Sequence, residues 1–299
     1  MLSHTENRAI VTGGSGGLGA EVIRQLLGEG YECLNLDIQV PQKHLCPYQE
    51  IDLCDRDALL KVCRSDDVII HLGGMPHPDD AGDFSYAAKV FANNTLSTYN
   101  CFNVAATLGM QRLIWASSET VYGYPFEQVA PMELPLDEQS QPQPQNSYAI
   151  SKLVSEQVAV HFHQLYDIDI IGLRLANVVY PGTEHPCNYP SLKQAWEDPL
   201  VRKFNLWNYI DVRDAAAAVV RSLDADITGA HNLNIVANET VMPHASEGLV
   251  ASVFSHAEAR ATLSGNQALL GNARARELLN WSPVHNWRDV LQQPGSGRA

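Results

Sequence analysis

The chain has 299 residues, 45% of them hydrophobic and 18% charged, which suits a globular protein of one large or two modest domains. This composition excludes an intrinsically disordered or fibrous chain. Lys and Arg together number 20 against 34 for Asp and Glu, giving a formal net charge of −14. A surface that tracks phosphates needs clustered cations, so the charge argues against nucleic acid or an anionic membrane as the main partner.

Several other classes of protein are also disfavoured. No apolar stretch approaches the ~18 residues of a membrane span, and the N-terminus carries no signal-peptide pattern. The 6 cysteines include no CxxC pair, and His161 and His163 are two apart on a predicted helix, where they cannot share a face. We therefore expect a cytoplasmic protein with reduced thiols, no metal site and no membrane partner.

Short apolar segments alternate with helical patterns from the N-terminus to about residue 175. Strands that are apolar throughout and separated by helices are typical of a parallel sheet covered on both faces. The predicted fold class is therefore α/β, with a doubly wound parallel sheet. The predicted strands cover 8–12, 33–37, 67–72, 112–117 and 168–174, and the predicted helices 17–28, 56–63, 85–108 and 147–165.

The rest of the chain is less regular. Residues 124–145 are rich in Pro and Gln, which predicts a long surface loop of the kind that often covers a site. The segments after the last predicted strand suggest a smaller, discontinuous substrate-binding domain. We predict that 1–180 and 207–238 form the sheet domain and that 181–206 and 239–299 form the smaller one.

The first predicted strand runs into a glycine-rich turn that opens the first predicted helix. Glycines let the backbone approach a pyrophosphate closely, and free N–H groups at a helix start attract negative charge. The turn is therefore predicted to bind the phosphates of a dinucleotide. Its expected binding residues are Gly13, Ser15, Gly16, Gly17, Leu18 and Gly19.

The residue that ends the second predicted strand indicates which dinucleotide binds. Asp37 lies 24 residues after Gly13, close to the ~20-residue spacing at which a carboxylate binds the adenosine ribose hydroxyls. No Arg or Lys follows it to meet a 2′-phosphate, which the carboxylate would repel, so NAD is favoured over NADP. Asp52 and Leu53 are predicted to flank the adenine.

Three residues form a predicted catalytic group. Ser118 follows the fourth predicted strand, and Tyr148 and Lys152 are four apart on one helix face. A phenol titrates near ~10, too high for a base at neutral pH, but a nearby ammonium favours the phenolate. A hydroxyl such as that of Ser118 can stabilise the charge developing on a substrate oxygen. The group is predicted to act as an acid/base site beside a nicotinamide.

Together these motifs resemble the extended short-chain dehydrogenase/reductase superfamily, in its NAD-dependent epimerase/dehydratase branch. The resemblance implies a Rossmann domain interrupted by a small substrate domain, with NAD bound across the sheet edge. It implies that Tyr148 is the acid/base, that Lys152 holds the nicotinamide ribose and lowers the pKa of the tyrosine, and that Ser118 contacts the reacting hydroxyl. The matching segments are TGGSGGLG (12–19), HLGG (71–74), NNTLSTYN (93–100), SSETVYG (117–123), LRLANVVYPG (173–182) and NYIDVRDAA (208–216).

The same resemblance extends the cofactor site and suggests an oligomer. It adds Leu72, Gly73, Gly74 and Asn94 to the expected NAD-binding residues. Members commonly dimerise through two helices per subunit, which here are those near 94–108 and 148–165, so a homodimer is expected.

The residues after Ser118 bear on the reaction. Sugar 4,6-dehydratases carry an Asp-Glu pair where this chain has Glu119 and Thr120, and one carboxylate cannot easily serve both the acid and the base step. Dehydration is therefore disfavoured. Nucleotide-sugar epimerases have small or hydroxylic residues there, which Thr120 fits and Glu119 does not. Two interpretations of Glu119 stay open, a second acid/base or a solvated loop carboxylate.

The short cap bears on the substrate. It lacks the basic residue that usually precedes the Asn-Tyr-Ile-like stretch of nucleotide-sugar enzymes, and Trp207 occupies that place. The cap looks like those of uronate and sugar dehydrogenases, but Glu119 replaces the Asn of the uronate enzymes, and one carboxylate repels another. A neutral sugar or polyol is compatible. The candidate substrate residues are His77, Glu119, Thr120, Asn177, Lys193 and Arg202.

The predicted function is that of an NAD-dependent oxidoreductase that moves hydride to or from a secondary alcohol carbon of a sugar-like substrate. Epimerisation and net dehydrogenation both stay open. The alternatives are uronate dehydrogenase-like oxidation of a free sugar acid and a non-catalytic NAD(H)-sensing regulator.

Overall fold

The computed structural model describes residues 8–76, 83–182 and 185–291. The strands are β1 Arg8–Thr12, β2 Glu32–Asp37, β3 Tyr48–Glu50, β4 Val68–His71, β5 Arg112–Ser118, β6 Glu133–Leu134, β7 Asp169–Leu175, β8 Val178–Val179, β9 Ile210–Asp211, β10 Ala230–Ile235 and β11 Glu258–Ala259. The α-helices are α1 Gly17–Gly28, α2 Arg56–Val62, α3 Phe84–Leu108, α4 Ser147–Tyr166, α5 Gln194–Glu197, α6 Val212–Asp224, α7 Ser246–Val253, α8 Ala273–Leu279 and α9 Trp287–Leu291.

Seven strands form one parallel sheet in the order β10-β7-β5-β4-β1-β2-β3. The chain passes from β1 outward through β2 to β3 and then crosses to β4 on the other side of β1. In open α/β sheets a ligand binds outside the carboxyl ends of the strands at such a reversal. The predicted doubly wound fold class is thereby confirmed, and the reversal lies beside the glycine-rich turn.

Helices cover both faces of the sheet, which explains why its strands are apolar throughout. On one face α1 packs against α6, and on the other α3 packs against α4. Alternate residues of β1 enter different cores, since Val11 is buried in the same cluster as Ile23 and Ile10 in the same cluster as Phe102. Two-sided burial removes the polar alternation that a half-exposed strand would show.

The Pro- and Gln-rich segment 124–145 is more ordered and more buried than predicted. It is irregular for most of its length, but β6 pairs with β11, and Phe126, Leu134 and Leu136 are buried in the core. The prediction of a surface loop was therefore wrong for these residues. Their strand partner is more than a hundred residues away in sequence, where local periodicity carries no signal.

The irregular segments after β7 pack together beyond the carboxyl edge of the sheet. Two 3₁₀ segments, 189–193 and 199–205, lie in this part of the chain, and the short strands β8 and β9 pair there. A further 3₁₀ segment, 119–122, follows β5. Buried Trp207 and Leu269 belong to the same cluster as Val11 of the sheet. The division into two domains stays a prediction.

Two further findings concern the described residues. None of their helices is long and apolar enough to cross a bilayer. All six cysteines are free thiols, of which Cys33, Cys63 and Cys101 are buried.

Candidate active site

The glycine-rich turn after β1 passes so close to neighbouring backbone that side chains would not fit. Gly13 has φ +71°, and a Cβ there would lie 2.6 Å from the backbone nitrogen of Gly73. A Cβ on Gly19 would lie 2.2 Å from the carbonyl oxygen of Gly13. Gly16 precedes α1, and no side chain of the described residues caps the helix there. The turn thus presents an uncapped helix start, which fits the phosphates of a dinucleotide.

Asp37 lies at the end of β2 beside this turn. One carboxylate oxygen accepts a hydrogen bond from the backbone N–H of Ser15 at 3.0 Å, and the other accepts from that of Gln39 at 3.0 Å. Asn35 donates from its amide nitrogen to the hydroxyl of Ser15 at 3.1 Å. A carboxylate has about four acceptor positions, so Asp37 keeps capacity for the two hydroxyls of a ribose. Its placement fits NAD.

The segment after β4 forms the other side of the crevice. A Cβ on Gly73 would lie 2.6 Å from Leu53 Cδ1, so these two predicted residues are in close contact. The side chain of Asn94 accepts from the backbone N–H of Met75 at 2.7 Å and donates to its carbonyl at 3.0 Å. Asn94 therefore fixes the backbone that follows Gly74. Asp52 is exposed and accepts from the backbone N–H of Cys54 at 2.9 Å.

A cavity of about 860 Å³ opens at the carboxyl edge of the sheet. That volume suits a small-molecule site. It brings together the predicted residues from β4, β5, α4 and the end of β7, although these are far apart in sequence. The predicted residues that line it are Leu18, Leu72, Gly74, Ser118, Glu119, Thr120, Tyr148, Lys152 and Asn177.

Local structure places the three predicted catalytic residues on this cavity. Asn146 caps α4 by accepting from the N–H of Ala149 at 2.8 Å, so Tyr148 lies in the first turn of the helix. One turn later the Lys152 ammonium donates to the carbonyl of Ala116 at 2.8 Å and lies 5.5 Å from the centre of the Tyr148 ring. Ser118 ends the adjacent β5.

Burial dominates the electrostatics of this group. Desolvation raises the pKa of Tyr148, which the hydrogen bond with Ser118 opposes and the charge of Glu119 reinforces. Desolvation also lowers the pKa of Lys152 to about 8, against the charge of Glu156. The net pKa shift of Tyr148 is upward, opposite to the lowering expected from Lys152. Desolvation of the phenol, the largest cause of the shift, is the physical reason.

Glu119 is buried rather than solvated, with 5% of its surface exposed. Its Oε1 accepts from the backbone N–H of Asn177 at 3.0 Å, whereas its Oε2 has no partner among the described residues. Desolvation raises the pKa of Glu119 to about 8, opposed by that hydrogen bond and by the charge of Arg202. The interpretation of Glu119 as a solvated loop carboxylate was therefore wrong.

Of the other candidate substrate residues, Thr120 and Asn177 line the cavity, whereas Arg202 and Lys193 do not. Thr120 donates from its hydroxyl to Ser118 Oγ at 3.0 Å, and Arg202 donates to Asn177 Oδ1 at 2.8 Å. Lys193 is exposed, with its ammonium 5.8 Å from the centre of the Trp196 ring, and is not one of the lining residues. His77 lies outside the described residues.

Sequence analysis missed several residues that line the cavity, among them Asn205, Tyr180 and Tyr124. Asn205 is 2% exposed, and its Oδ1 has no partner within the described part of the chain. The ring of Tyr180 lies over Gly17, where an added Cβ would be 2.5 Å from Tyr180 Cε1. Tyr124 is buried and accepts from the amide of Asn208 at 3.2 Å. Tyr124 follows the SSETVYG segment and Tyr180 lies within LRLANVVYPG, so both had a sequence signal, whereas Asn205 lies outside the matching segments.

A buried ion pair lies beneath the catalytic helix. Glu156 of α4 accepts from the Nε and Nη2 atoms of Arg174 at 2.8 and 2.7 Å and from the hydroxyl of Ser117 at 2.6 Å. Arg174 also donates to the hydroxyl of Tyr122 at 2.6 Å, which donates to Asn234 Oδ1 at 2.9 Å. The pair connects α4, β7 and β10, and sequence analysis did not find it.

The fold and the cavity together define a class of protein. Four features characterise NAD-binding enzymes of the extended short-chain dehydrogenase/reductase type. They are a doubly wound sheet, an uncapped glycine-rich helix start, a carboxylate at the end of β2 and a Tyr-Lys-Ser group at one sheet edge. No group of three or more potential metal-ligating side chains occurs in residues 8–76, 83–182 and 185–291.

Comparison with known proteins identifies the family within this class. Residues 9–236 match the family model described as NAD dependent epimerase/dehydratase family, and the chain belongs to that family. This confirms the predicted resemblance and, through the family's description, NAD as the cofactor.

Individual relatives are more distant. UDP-glucose 4-epimerase 2 of Arabidopsis thaliana is 30% identical over 219 residues, which is 67% of this chain and 58% of that protein. Uronate dehydrogenase of Pseudomonas putida is 28% identical over 181 residues, 59% of this chain and 63% of that protein. The chain thus spans less than two thirds of the length of these relatives. The structure of a Brucella ovis UDP-glucose 4-epimerase with NAD aligns with a TM-score of 0.73 over 97% of both chains at 20% identity.

Proposed function

We propose that this chain is an NAD-dependent oxidoreductase that moves hydride to or from a secondary alcohol carbon of a sugar-like substrate. The observation that carries the proposal is that Ser118, Tyr148 and Lys152 line one cavity together with Leu18 and Gly74 of the expected cofactor site. The relatives named as sugar-nucleotide epimerases and sugar-acid dehydrogenases support the substrate class.

The proposed mechanism assigns one task to each catalytic side chain. Tyr148 exchanges the proton of the substrate hydroxyl as the carbon gains or loses hydride. Thr120 donates to Ser118 Oγ, so the Ser118 hydroxyl keeps its own proton to donate, to the Tyr148 oxygen before substrate binds and to the substrate oxygen afterwards. The Ala116 carbonyl holds the Lys152 ammonium beside the Tyr148 ring. The glycine-rich turn and Asp37 would hold NAD, whose nicotinamide ring would supply the hydride acceptor or donor.

The direction of the reaction is expected to depend on pH. Burial raises the pKa of Tyr148, so the phenol is protonated at neutral pH and serves most readily as an acid. Reduction of a carbonyl is therefore favoured at neutral pH, and oxidation of an alcohol becomes faster as the pH rises.

One screen separates the candidate functions. Purified protein and NAD are incubated with neutral free sugars, uronates and UDP-sugars, while NADH absorbance and product stereochemistry are followed. Accumulation of NADH supports a dehydrogenase, and a new epimer without accumulation supports an epimerase. Tight binding of NADH without any turnover would overturn the enzymatic proposal in favour of a regulator.

Uronate oxidation is the second candidate because the half-buried Arg202 lies beside the cavity residue Asn177. Its guanidinium could hold a carboxylate. The raised pKa of Glu119 also weakens the repulsion that argues against a uronate, because the neutral acid carries no charge.

We also propose a homodimer formed through α3 and α4. These helices pack together and expose apolar side chains on their outer surface, including Leu96 at 46%, Tyr99 at 45% and Ile150 at 42%. Light scattering on the wild type and on Leu96→Glu tests this, since a charge on a buried interface should shift a dimer toward monomer. A monomeric wild type would overturn it.

A further inference from the structure

Two buried polar atoms on the cavity have no protein partner among the residues that the structure describes. They are Glu119 Oε2 and Asn205 Oδ1, on side chains 5% and 2% exposed. Leaving such an atom unpaired in a buried position is unfavourable. Both residues line the cavity, so a bound molecule can supply the missing partner.

Glu119 is held as a neutral acid by its surroundings. The groups that face it are Arg202 from the 199–205 segment, Tyr124 from the loop after β5 and Tyr148 from α4. The hydrogen bond from the Asn177 N–H and the charge of Arg202 favour the anion, but desolvation outweighs both and raises the pKa of Glu119 to about 8. At neutral pH the carboxyl therefore has one O–H to donate. The Asn177 N–H already occupies Oε1, so Oε2 is the free end.

The orientation of the Asn205 amide is fixed by its neighbour. Its Nδ2 donates to the carbonyl of Asn208 at 3.0 Å. The flipped amide would place oxygen against that carbonyl oxygen, which is repulsive. The free atom is therefore the amide oxygen, which can only accept a hydrogen bond.

We propose that Glu119 and Asn205 are specificity-determining residues that bind hydroxyl groups of an uncharged substrate, with Glu119 Oε2 donating a hydrogen bond and Asn205 Oδ1 accepting one. A hydroxyl can serve both residues, whereas a carboxylate has no hydrogen for Asn205. At these two residues the cavity therefore favours a hydroxyl over a carboxylate, so a neutral sugar is preferred over the uronate whose carboxylate would replace that hydroxyl. This inference rests on the proposed oxidoreductase function and specifies its substrate class.

Kinetics on two Glu119 variants test the proposal. With a panel of neutral aldoses and the matching uronates, Glu119→Ala is expected to raise KM for the neutral sugar about tenfold or more, with kcat changed much less. Glu119→Gln keeps a donor and should restore KM to within about threefold of wild type. Glu247→Gln, which alters an exposed carboxylate that does not line the cavity, is the control.

The pH dependence of KM adds a signature that a purely structural residue would not give. Wild-type KM should rise between pH 7 and 9 as Glu119 loses its proton, whereas KM of Glu119→Gln should not. The variant is needed because the pKa of Lys152 is also about 8. Only the difference between the pH profiles of KM for wild type and Glu119→Gln therefore reports the ionisation of Glu119. A uronate preferred over its neutral sugar, or equal KM values for wild type and Glu119→Ala, would overturn the inference.

A second measurement does not depend on activity. The free energy of unfolding is measured against pH for wild type and Glu119→Gln. Because the pKa of Glu119 is raised from 4.5 to about 8 in the folded state, wild type should lose stability relative to the variant as pH rises across that range. A constant difference would show that Glu119 ionises normally and would overturn the inference.

The two proposals fail in distinguishable ways. If wild type binds NAD but turns over no sugar, the proposed reaction fails, and calorimetry with neutral aldoses on the NAD-loaded protein then decides the inference. Aldose binding that Glu119→Ala weakens would support it, and absence of aldose binding would overturn it. If wild type oxidises sugars and the Glu119 variants behave like Glu247→Gln, the reaction stands and the inference fails.

Discussion

Two glutamates lie buried near the same cavity, but their surroundings differ. Glu156 meets the guanidinium of Arg174 with both oxygens and accepts a third hydrogen bond from Ser117. Glu119 has a single backbone donor and one free oxygen. The first carboxylate is satisfied by the fold, whereas the second needs a further partner. Burial alone therefore does not distinguish a structural carboxylate from a ligand-binding one, and the set of partners does.

The largest expected effect comes from Glu156→Gln. This change leaves Arg174 as a buried cation without its counter-charge, which typically costs about 3–5 kcal/mol of stability. Glu119→Gln at neutral pH replaces one neutral group by another and should alter stability by less than about 1 kcal/mol. Urea unfolding of both variants beside wild type measures the contrast. Equal losses of stability in the two variants would show that Glu156 and Glu119 do not differ in their structural role.

Tyr148→Phe is expected to have the next largest effect, on turnover rather than stability. Removing the hydroxyl removes the acid/base, so kcat should fall by about 10²-fold or more. NAD binding should persist because the glycine-rich turn and Asp37 are untouched. Tyr166→Phe, at the far and exposed end of the same helix, is the matched control and should leave kcat unchanged.

Full activity in Tyr148→Phe would mean that the proton is exchanged elsewhere, and Glu119 would then be the first residue to test. That result would assign the proton transfer to the carboxyl of Glu119 rather than to the phenol of Tyr148.

The cofactor side of the cavity could be predicted well from sequence because its determinants are local. The turn after β1, the Asp at the end of β2 and the i, i+4 pair of Tyr148 and Lys152 each depend on neighbours within a few residues. Parallel strands then bring these segments to one edge of the sheet, so no long-range contact has to be known to predict that they meet.

The substrate side could not be predicted in the same way because long-range contacts set its properties. Asn205 belongs to a 3₁₀ segment followed by Leu206 and Trp207 in left-handed conformation, with φ of 54° and 55°. Glu119 is desolvated by the fold around it, and its partners Asn177 and Arg202 lie 58 residues and more away in sequence. The same desolvation reverses the pKa shift expected for Tyr148.

A pair of equally buried tyrosines tests the difference between the ion-paired region and the cavity wall, with the smallest expected effects. Tyr122 and Tyr124 are each 3% exposed. The hydroxyl of Tyr122 is hydrogen-bonded to both Arg174 and Asn234. The hydroxyl of Tyr124 accepts one hydrogen bond, from Asn208, and Tyr124 lines the cavity. Tyr122→Phe should cost about 1–3 kcal/mol of stability because it leaves a buried charged donor without an acceptor. Tyr124→Phe should cost about 1 kcal/mol, with its main effect on KM for the substrate. Thermal and urea unfolding with steady-state kinetics on both variants check this. A larger stability loss for Tyr124→Phe than for Tyr122→Phe would contradict the assignment of the ion-paired region to stability and of the cavity wall to ligand binding.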